Sequence, residues 1–438
     1  MENMDDVTKL YRACRPDEVL PADDERYVDC DDARGSRVAP LMARAFQLAD
    51  PSRPEYKLFT GHRGVGKSTE LLRLRQLLEQ PAPGYLPFQV IYFDVVKHLD
   101  IADLEMPDLL VLTAAEVQRQ LQEAKLPGFS VVTTLFQGIW DQIRQLTKAE
   151  ISLSEAEVDV VPGFAKVTAE LKNGAPSSRQ ALRAAIDKQS VSLRRALNDL
   201  LDAANAQLCQ QGKAGLLLII DSLEKLPLDR QERIFVERCD QLVGLSCHAV
   251  YTMPISMAYS PRMSETTQTF GEICVPVPMI RVAHDPQKTG VLALEKMIAK
   301  RCDYAHVDPA KVFDAPATRE HLCRLSGGHP RHLMMFLQAS LSQVDALPLK
   351  KTHVDKAVES YAQSLAREIP AECWPWLRRF KDGPLQSLPE DLPDNLRRSM
   401  LYWLYIFEYR NEEPFYDVNP VIRLLKRFKE KQSRPPSS

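Results

Sequence analysis

Eight residues, Gly61-His62-Arg63-Gly64-Val65-Gly66-Lys67-Ser68, constrain this chain more than any other stretch. Glycines at these spacings let the backbone curl until successive N–H groups point inward at one anion. A helix beginning at the lysine then adds the positive end of its dipole. Such a loop works only between a strand and a helix. The run Tyr56-Lys57-Leu58-Phe59 reads as the strand, and TELLRLRQLLEQ continues the loop with leucines at helical spacing. The expected phosphate contacts are Gly61, His62, Arg63, Gly64, Val65, Gly66, Lys67, Ser68 and Thr69. Lys67 would reach the β and γ phosphates, and the Ser68 hydroxyl would ligate magnesium. The alternative, a chance glycine turn, accounts for neither the strand before it nor the helix after it.

A loop of this kind needs a carboxylate elsewhere for the metal. GLLLIIDSLEKL supplies it, because a buried-type strand (215–221) ends in Asp221. In open α/β sheets ligands sit at that carboxyl edge. Asp221 would hold magnesium, commonly through water. Glu224, three residues on, is placed to orient or deprotonate an attacking water; its plainer reading is a cap or ion pair for the next helix. Thr252, at the end of AVYTMPIS, stands where a γ-phosphate or water contact would be, or is an ordinary strand-end residue.

Around these motifs apolar runs alternate with helical stretches. Strands are expected at 56–59, 88–95, 215–221, 247–253 and 272–278, and helices near 107–124 and 130–147. Strands without polar alternation, separated by helices, imply a parallel sheet covered on both faces. The expected fold class is therefore α/β. AEISLSEAEVDVVPGFAKVTAEL (149–171) alternates around Pro162-Gly163 and reads as a hairpin, followed by one long helix near 178–211. The sequence thus divides into an N-terminal segment (1–55), mostly irregular apart from SRVAPLMARAFQLAD, and a core (56–284) with an insertion at about 149–211. A helical lid (285–344), a small C-terminal domain (345–425) with a hairpin at 404–418, and a basic tail (426–438) follow.

SGGHPRHL puts Arg331 at a helix start after two glycines and Pro330. Taken with the loop, D-x-x-E and Thr252, it resembles the additional-strand P-loop ATPases, specifically the AAA+/STAND group that includes origin-recognition and signal-transducing ATPases. The resemblance covers roughly residues 25 to 340. It implies a P-loop NTPase core, ATP and Mg2+ as cofactors, Thr252 as sensor 1, and Arg331 as a sensor 2 arginine from the lid. It also implies a C-terminal helical or winged-helix-like module. Tyr27 or Val28, in ERYVDCDDARG, would pack on the adenine, or make a plain core contact. Two features depart from the pattern. Asp-Ser-Leu-Glu replaces the adjacent Asp-Glu common in AAA+ proteins, and the separation of Lys67 and Asp221 is long for the class. Arg233, Arg238 and Arg262 are unranked candidates for an arginine finger.

With 56 Lys and Arg against 59 Asp and Glu, the net charge of −3 gives the whole molecule no strong pull on nucleic acid or anionic membrane. A local basic face stays open, above all the run Arg423, Lys426, Arg427, Lys429, Lys431 and Arg434, which also reads as a solvated helix end. Nine scattered cysteines without a CxxC pair read as reduced thiols in a cytoplasmic protein with no secretory signal or membrane span. The leading expectation is an ATP-binding and ATP-hydrolysing switch, in bacterial defence or signalling, read by a protein partner or separate effector chain, with homo-oligomerisation open. Its rivals are a DNA-associated loading or remodelling ATPase, a slow-hydrolysing nucleotide-binding scaffold and, with less in its favour, a small-molecule kinase.

Overall fold

The structure is a computed structural model that describes residues 5–50, 53–124, 162–271, 274–283 and 285–430. The chain forms two compact units. One comprises 40–59 and 74–275; the other comprises 1–39, 60–73 and 276–438.

The unit of residues 40–59 and 74–275 carries the sheet apart from Thr60, Gly61 and Pro276. Its strands are β1 (Tyr56–Gly61), β2 (Phe88–Asp94), β3 (Gly215–Asp221), β4 (His248–Pro254) and β5 (Val275–Pro276), in the order β2-β3-β4-β1-β5. β2 runs parallel to β3, with Asp94 opposite Asp221, and β3 runs parallel to β4. Every residue of β3 and of β4 is buried. That is the physical meaning of their aliphatic runs: a strand covered on both faces has no solvent side on which to alternate. Helices Met106–Glu123 and Ser190–Gln210 contribute Leu109, Leu112, Val117, Leu193, Leu197 and Leu208 to the same core as Leu216, Leu218 and Ile220. The expected α/β sheet with helical cover is present, and β4 lies between the strand of the acid and the strand of the loop.

Three local expectations are corrected. The stretch read as a hairpin around Pro162 is helical where it is described, as Pro162–Asn173. Proline suits a first helical turn, and Val167 and Leu171, four apart, are both buried. The long helix expected near 178–211 is two helices, Pro176–Lys188 and Ser190–Gln210, broken at Gln189. Among the described residues the fifth strand is only Val275–Pro276, because prolines 276 and 278 have no N–H to give a ladder; residues 272 and 273 of the expected strand lie outside the described residues. The helix expected at 130–147 and the rest of the hairpin lie outside the described residues.

In the other unit, helix Asp6–Ala13 was not foreseen in the acidic N-terminus. Asp5 caps it by accepting from the Thr8 N–H at 2.8 Å, and Leu10 and Ala13 are buried. Helices Thr289–Tyr304, Pro316–Leu325, Pro330–Leu341 and Lys351–Glu368 follow residue 285. Helix Asp394–Tyr402 then leads into an antiparallel hairpin, β6 (Ile406–Arg410) and β7 (Pro414–Val418), within the stretch 404–418 where a hairpin was expected. Among the described residues no helix is long and apolar enough to cross a membrane.

Candidate functional site

The phosphate loop belongs to the unit of residues 1–39, 60–73 and 276–438. Gly61, Gly64 and Gly66 have φ of 148°, 81° and 104°, values that side chains with a Cβ resist. Helix Lys67–Glu79 begins at the lysine. The Lys67 Nζ donates to the carbonyls of Gly61 and His62, at 2.9 Å each, in a position only 3% exposed. These carbonyl contacts are what it would exchange for phosphate oxygens. Ser68 and Thr69 follow in the first helical turn, half-buried.

When the amides of a loop point inward, its carbonyls must find donors outside, and two of them do so through side chains the motif does not contain. Arg34, at the end of a four-residue helix (Asp31–Arg34), donates from Nη2 to the Val65 carbonyl at 2.7 Å and from Nη1 to the Pro278 carbonyl at 2.6 Å. His329 donates from Nε2 to the Arg63 carbonyl at 2.7 Å. Its Nδ1 accepts from the His332 N–H at 3.1 Å, which caps the Pro330–Leu341 helix and leaves the ring proton on Nε2. His62 is tied the other way: its Nε2 accepts from the Glu408 N–H of β6 at 2.8 Å, while the Glu408 carbonyl accepts from the Met279 N–H. His62, His329, His332 and Phe407 form one ring cluster, with Tyr361 on His332. Burial holds all three histidines far below their ordinary pKa, His62 and His332 at about 3, so the cluster is neutral.

Arg331 lies against the loop as well. A Cβ on Gly64 would meet the Arg331 Cβ and Cδ at 3.1 Å, and the Arg331 Nε donates to the Pro16 carbonyl at 3.3 Å. Of the adenine candidates, Val28 is buried and the Tyr27 ring lies under the Arg73 guanidinium at 5.9 Å. Arg73 also grips Asp29 and Asp31 at 2.6 and 3.1 Å, fastening the N-terminal arm to the helix after the loop.

The acidic residues belong to the unit of residues 40–59 and 74–275. Asp221 is fully buried at the end of β3. Its Oδ1 accepts from the Ser222 N–H at 2.6 Å and its Oδ2 from the Tyr92 hydroxyl at 2.7 Å. Tyr92, on neighbouring β2, was not singled out from sequence; burial, with Asp221 beside it, pushes its hydroxyl pKa up and keeps it a donor. Ser222 adopts a left-handed conformation (φ 74°) that turns the chain into Leu223–Lys225. Glu224 in that turn is 4% exposed. Thr252 Oγ1 accepts from the Leu223 N–H at 2.9 Å, so Thr252 and the Asp221–Glu224 turn are joined. Arg233, Arg238 and Arg262 each approach a carboxylate of this chain, Glu105, Asp187 and Glu265 respectively. Within the basic run, Arg423 pairs with Asp417 at 2.6 Å and Arg427 stacks over Trp374. Lys431 and Arg434 lie outside the described residues.

No family model and no curated protein matches this chain. Among solved structures it is similar to the Walker-type ATPase PABY2304 of Pyrococcus abyssi, at 16% identity over 96% of this chain and 100% of that one, with a TM-score of 0.45. It is similar to the ORC2 protein of Aeropyrum pernix in ADPNP and ADP complexes, at 13% identity over 95% and 96%, with a TM-score of 0.45. It is also similar to the ORC1 protein of Aeropyrum pernix in complex with DNA, at 13% identity over 94% and 95%, with a TM-score of 0.42. These likenesses are of fold alone. By its glycine loop and by the strand order β2-β3-β4-β1-β5, the chain has the P-loop ATPase fold of the AAA+ type.

Proposed function

We propose that the chain binds ATP with magnesium, hydrolyses it, and passes its nucleotide state to a partner. The observation that carries this reading is the phosphate loop, whose glycines hold positive φ while side chains outside the motif hold the Arg63 and Val65 carbonyls. Lys67 would bind the β and γ phosphates. Ser68 and Asp221 would serve magnesium, which takes one or two protein ligands and fills its octahedron with phosphate and water. Among the described residues no cluster of three or more His, Cys, Asp or Glu is placed to hold a metal alone, so such an ion would depend on those other ligands. Glu224 would orient the attacking water, Thr252 would steady its turn, and Arg331 would report the γ-phosphate to the lid. The ties of His62 to β6 and of Arg63 to the lid helix support a switch, because a loop that shifts on binding nucleotide pulls on both.

The second reading is a DNA-associated ATPase. One structure to which the chain is similar, the ORC1 protein of Aeropyrum pernix, is in complex with DNA. The hairpin tip, with Glu412 and Glu413 exposed, is a poor phosphate contact, and two arginines of the basic run are engaged internally. Titration with fluorescent ATP and ADP analogues, then turnover with and without duplex DNA, tests both readings. Wild type should bind and Lys67→Ala should not; equal binding by the two overturns the nucleotide site. Turnover stimulated by DNA would replace the partner-read switch with the DNA-associated reading. Sizing with and without ATP would show whether copies of the chain assemble.

A further inference from the structure

The N-terminal arm ends in a buried guanidinium that belongs to none of the motifs above. Arg34 is 3% exposed and spans two backbone carbonyls, Val65 in the loop and Pro278 after β5. A lysine could reach one of them; the planar fork of an arginine reaches both. The arm that carries it is itself fixed, since Asp29 and Asp31 pair with Arg73 on the helix behind the loop. Gly35, with φ 68°, ends the short helix, and its N–H returns to the Asp32 carbonyl.

Two details give Arg34 more than a packing role. The nearest atom to a Cβ placed on Gly66 would be its Nη2, at 3.3 Å, so the guanidinium lies against the loop at the glycine before Lys67. A side chain at 66 would push it off the Val65 carbonyl. Its charge also acts on Glu70, one turn into the following helix. Glu70 is itself buried. Arg34 thus places a cation behind the loop, balanced by a buried acid, while its hydrogen bond turns the Val65 carbonyl outward. Val65 and Gly66 share one peptide plane, so holding that carbonyl out directs the Gly66 N–H inward.

We propose that Arg34 is a positioning residue for phosphate binding: it sets the Val65–Gly66 peptide so that the Gly66 amide faces the nucleotide, making the N-terminal arm part of the nucleotide site. This rests on the nucleotide-binding reading. Arg34 touches the loop through the Val65 carbonyl, so its loss weakens ATP and ADP alike.

The test uses the full chain with Arg34→Ala and Arg34→Lys, fluorescent ATP and ADP analogues, and near-ultraviolet circular dichroism to establish folding. Losing a charge-assisted hydrogen bond predicts affinities about 10- to 100-fold weaker for both nucleotides in Arg34→Ala, with Arg34→Lys between that variant and wild type. Methylguanidinium added to Arg34→Ala should restore part of the binding, and methylammonium should not. A merely structural loss would not follow the shape of the added cation. A folded Arg34→Ala that binds within twofold of wild type overturns the proposal, and so does a loss that methylguanidinium leaves unchanged. If Arg34→Ala does not fold, Arg34→Lys decides: full affinity overturns the assignment, and parallel weakening of ATP and ADP supports it. A wild type that binds neither nucleotide would instead remove the nucleotide-binding reading.

Discussion

The Nε2–H of His329 donates to the carbonyl oxygen of Arg63 at 2.7 Å, while its Nδ1 caps the helix that carries Arg331. One ring therefore serves both the third residue of the phosphate loop and the first turn of helix Pro330–Leu341. His329→Ala should remove the cap and the tie together, costing about 1–3 kcal/mol and weakening ATP binding. His329→Asn should keep the cap but fall short of Arg63. Thermal melts and nucleotide titrations of the two variants separate the roles. If Asn restores ATP affinity along with stability, the tie to the loop has no function.

Gly64 tests the same contact from the other side. It has φ 81°, and a Cβ there would lie 2.7 Å from the His329 Cε1. Gly84 has φ 96° with nothing near its missing Cβ. Both alanine substitutions bear the left-handed penalty of about 1–2 kcal/mol, and Gly64→Ala adds a clash. Gly84→Ala should melt lower yet bind nucleotide, whereas Gly64→Ala should lose binding as well. Equal nucleotide affinities would mean that the loop tolerates displacement of His329.

Glu224 is expected to act on water rather than on binding. Glu224→Gln should retain ATP and slow turnover by about 10²-fold or more, since the amide cannot take a proton. Bound-nucleotide analysis together with steady-state rates checks this. Unchanged turnover would move the base elsewhere, and Asp221 would be next.

The histidine cluster predicts acid sensitivity. His62 and His332 have folded values of about 3 against an ordinary 6.5, and His329 is also lowered. Between those limits the unfolded chain holds more protons than the folded one, so stability is full above 6.5 and falls as pH drops. The limiting slope is about 1.4 kcal/mol per pH unit for each histidine. Melts from about pH 7.5 to about pH 5 should show this loss, and His332→Phe should flatten it. A flat wild-type profile would mean that the cluster opens to water before it charges.

The sheet was legible because β3 and β4 are buried on both faces and their runs carry no competing signal. The loop was legible because its glycine spacing has one backbone use. Tyr92 was not, since a tyrosine in an aliphatic strand reads as core until the register sets its hydroxyl against Asp221. Arg34 and the ring of His62 were missed for a similar reason. Their partners are backbone groups at Pro278 and Glu408, and no local pattern encodes a bond to a distant carbonyl or amide. The misread around Pro162 shows the converse: alternation over a few residues is weak evidence beside the four-residue spacing of Val167 and Leu171.

The bond between His62 and Glu408 joins residues 346 positions apart. A chain ending before residue 345 would keep Lys67, Asp221, Glu224, Thr252 and Arg331, and would lose Phe407 and Glu408. Every recognisable motif would survive in it, with the second residue of the phosphate loop stripped of its partner. In a genetic screen, a stop codon between positions 345 and 407 should therefore resemble a lesion in the loop itself.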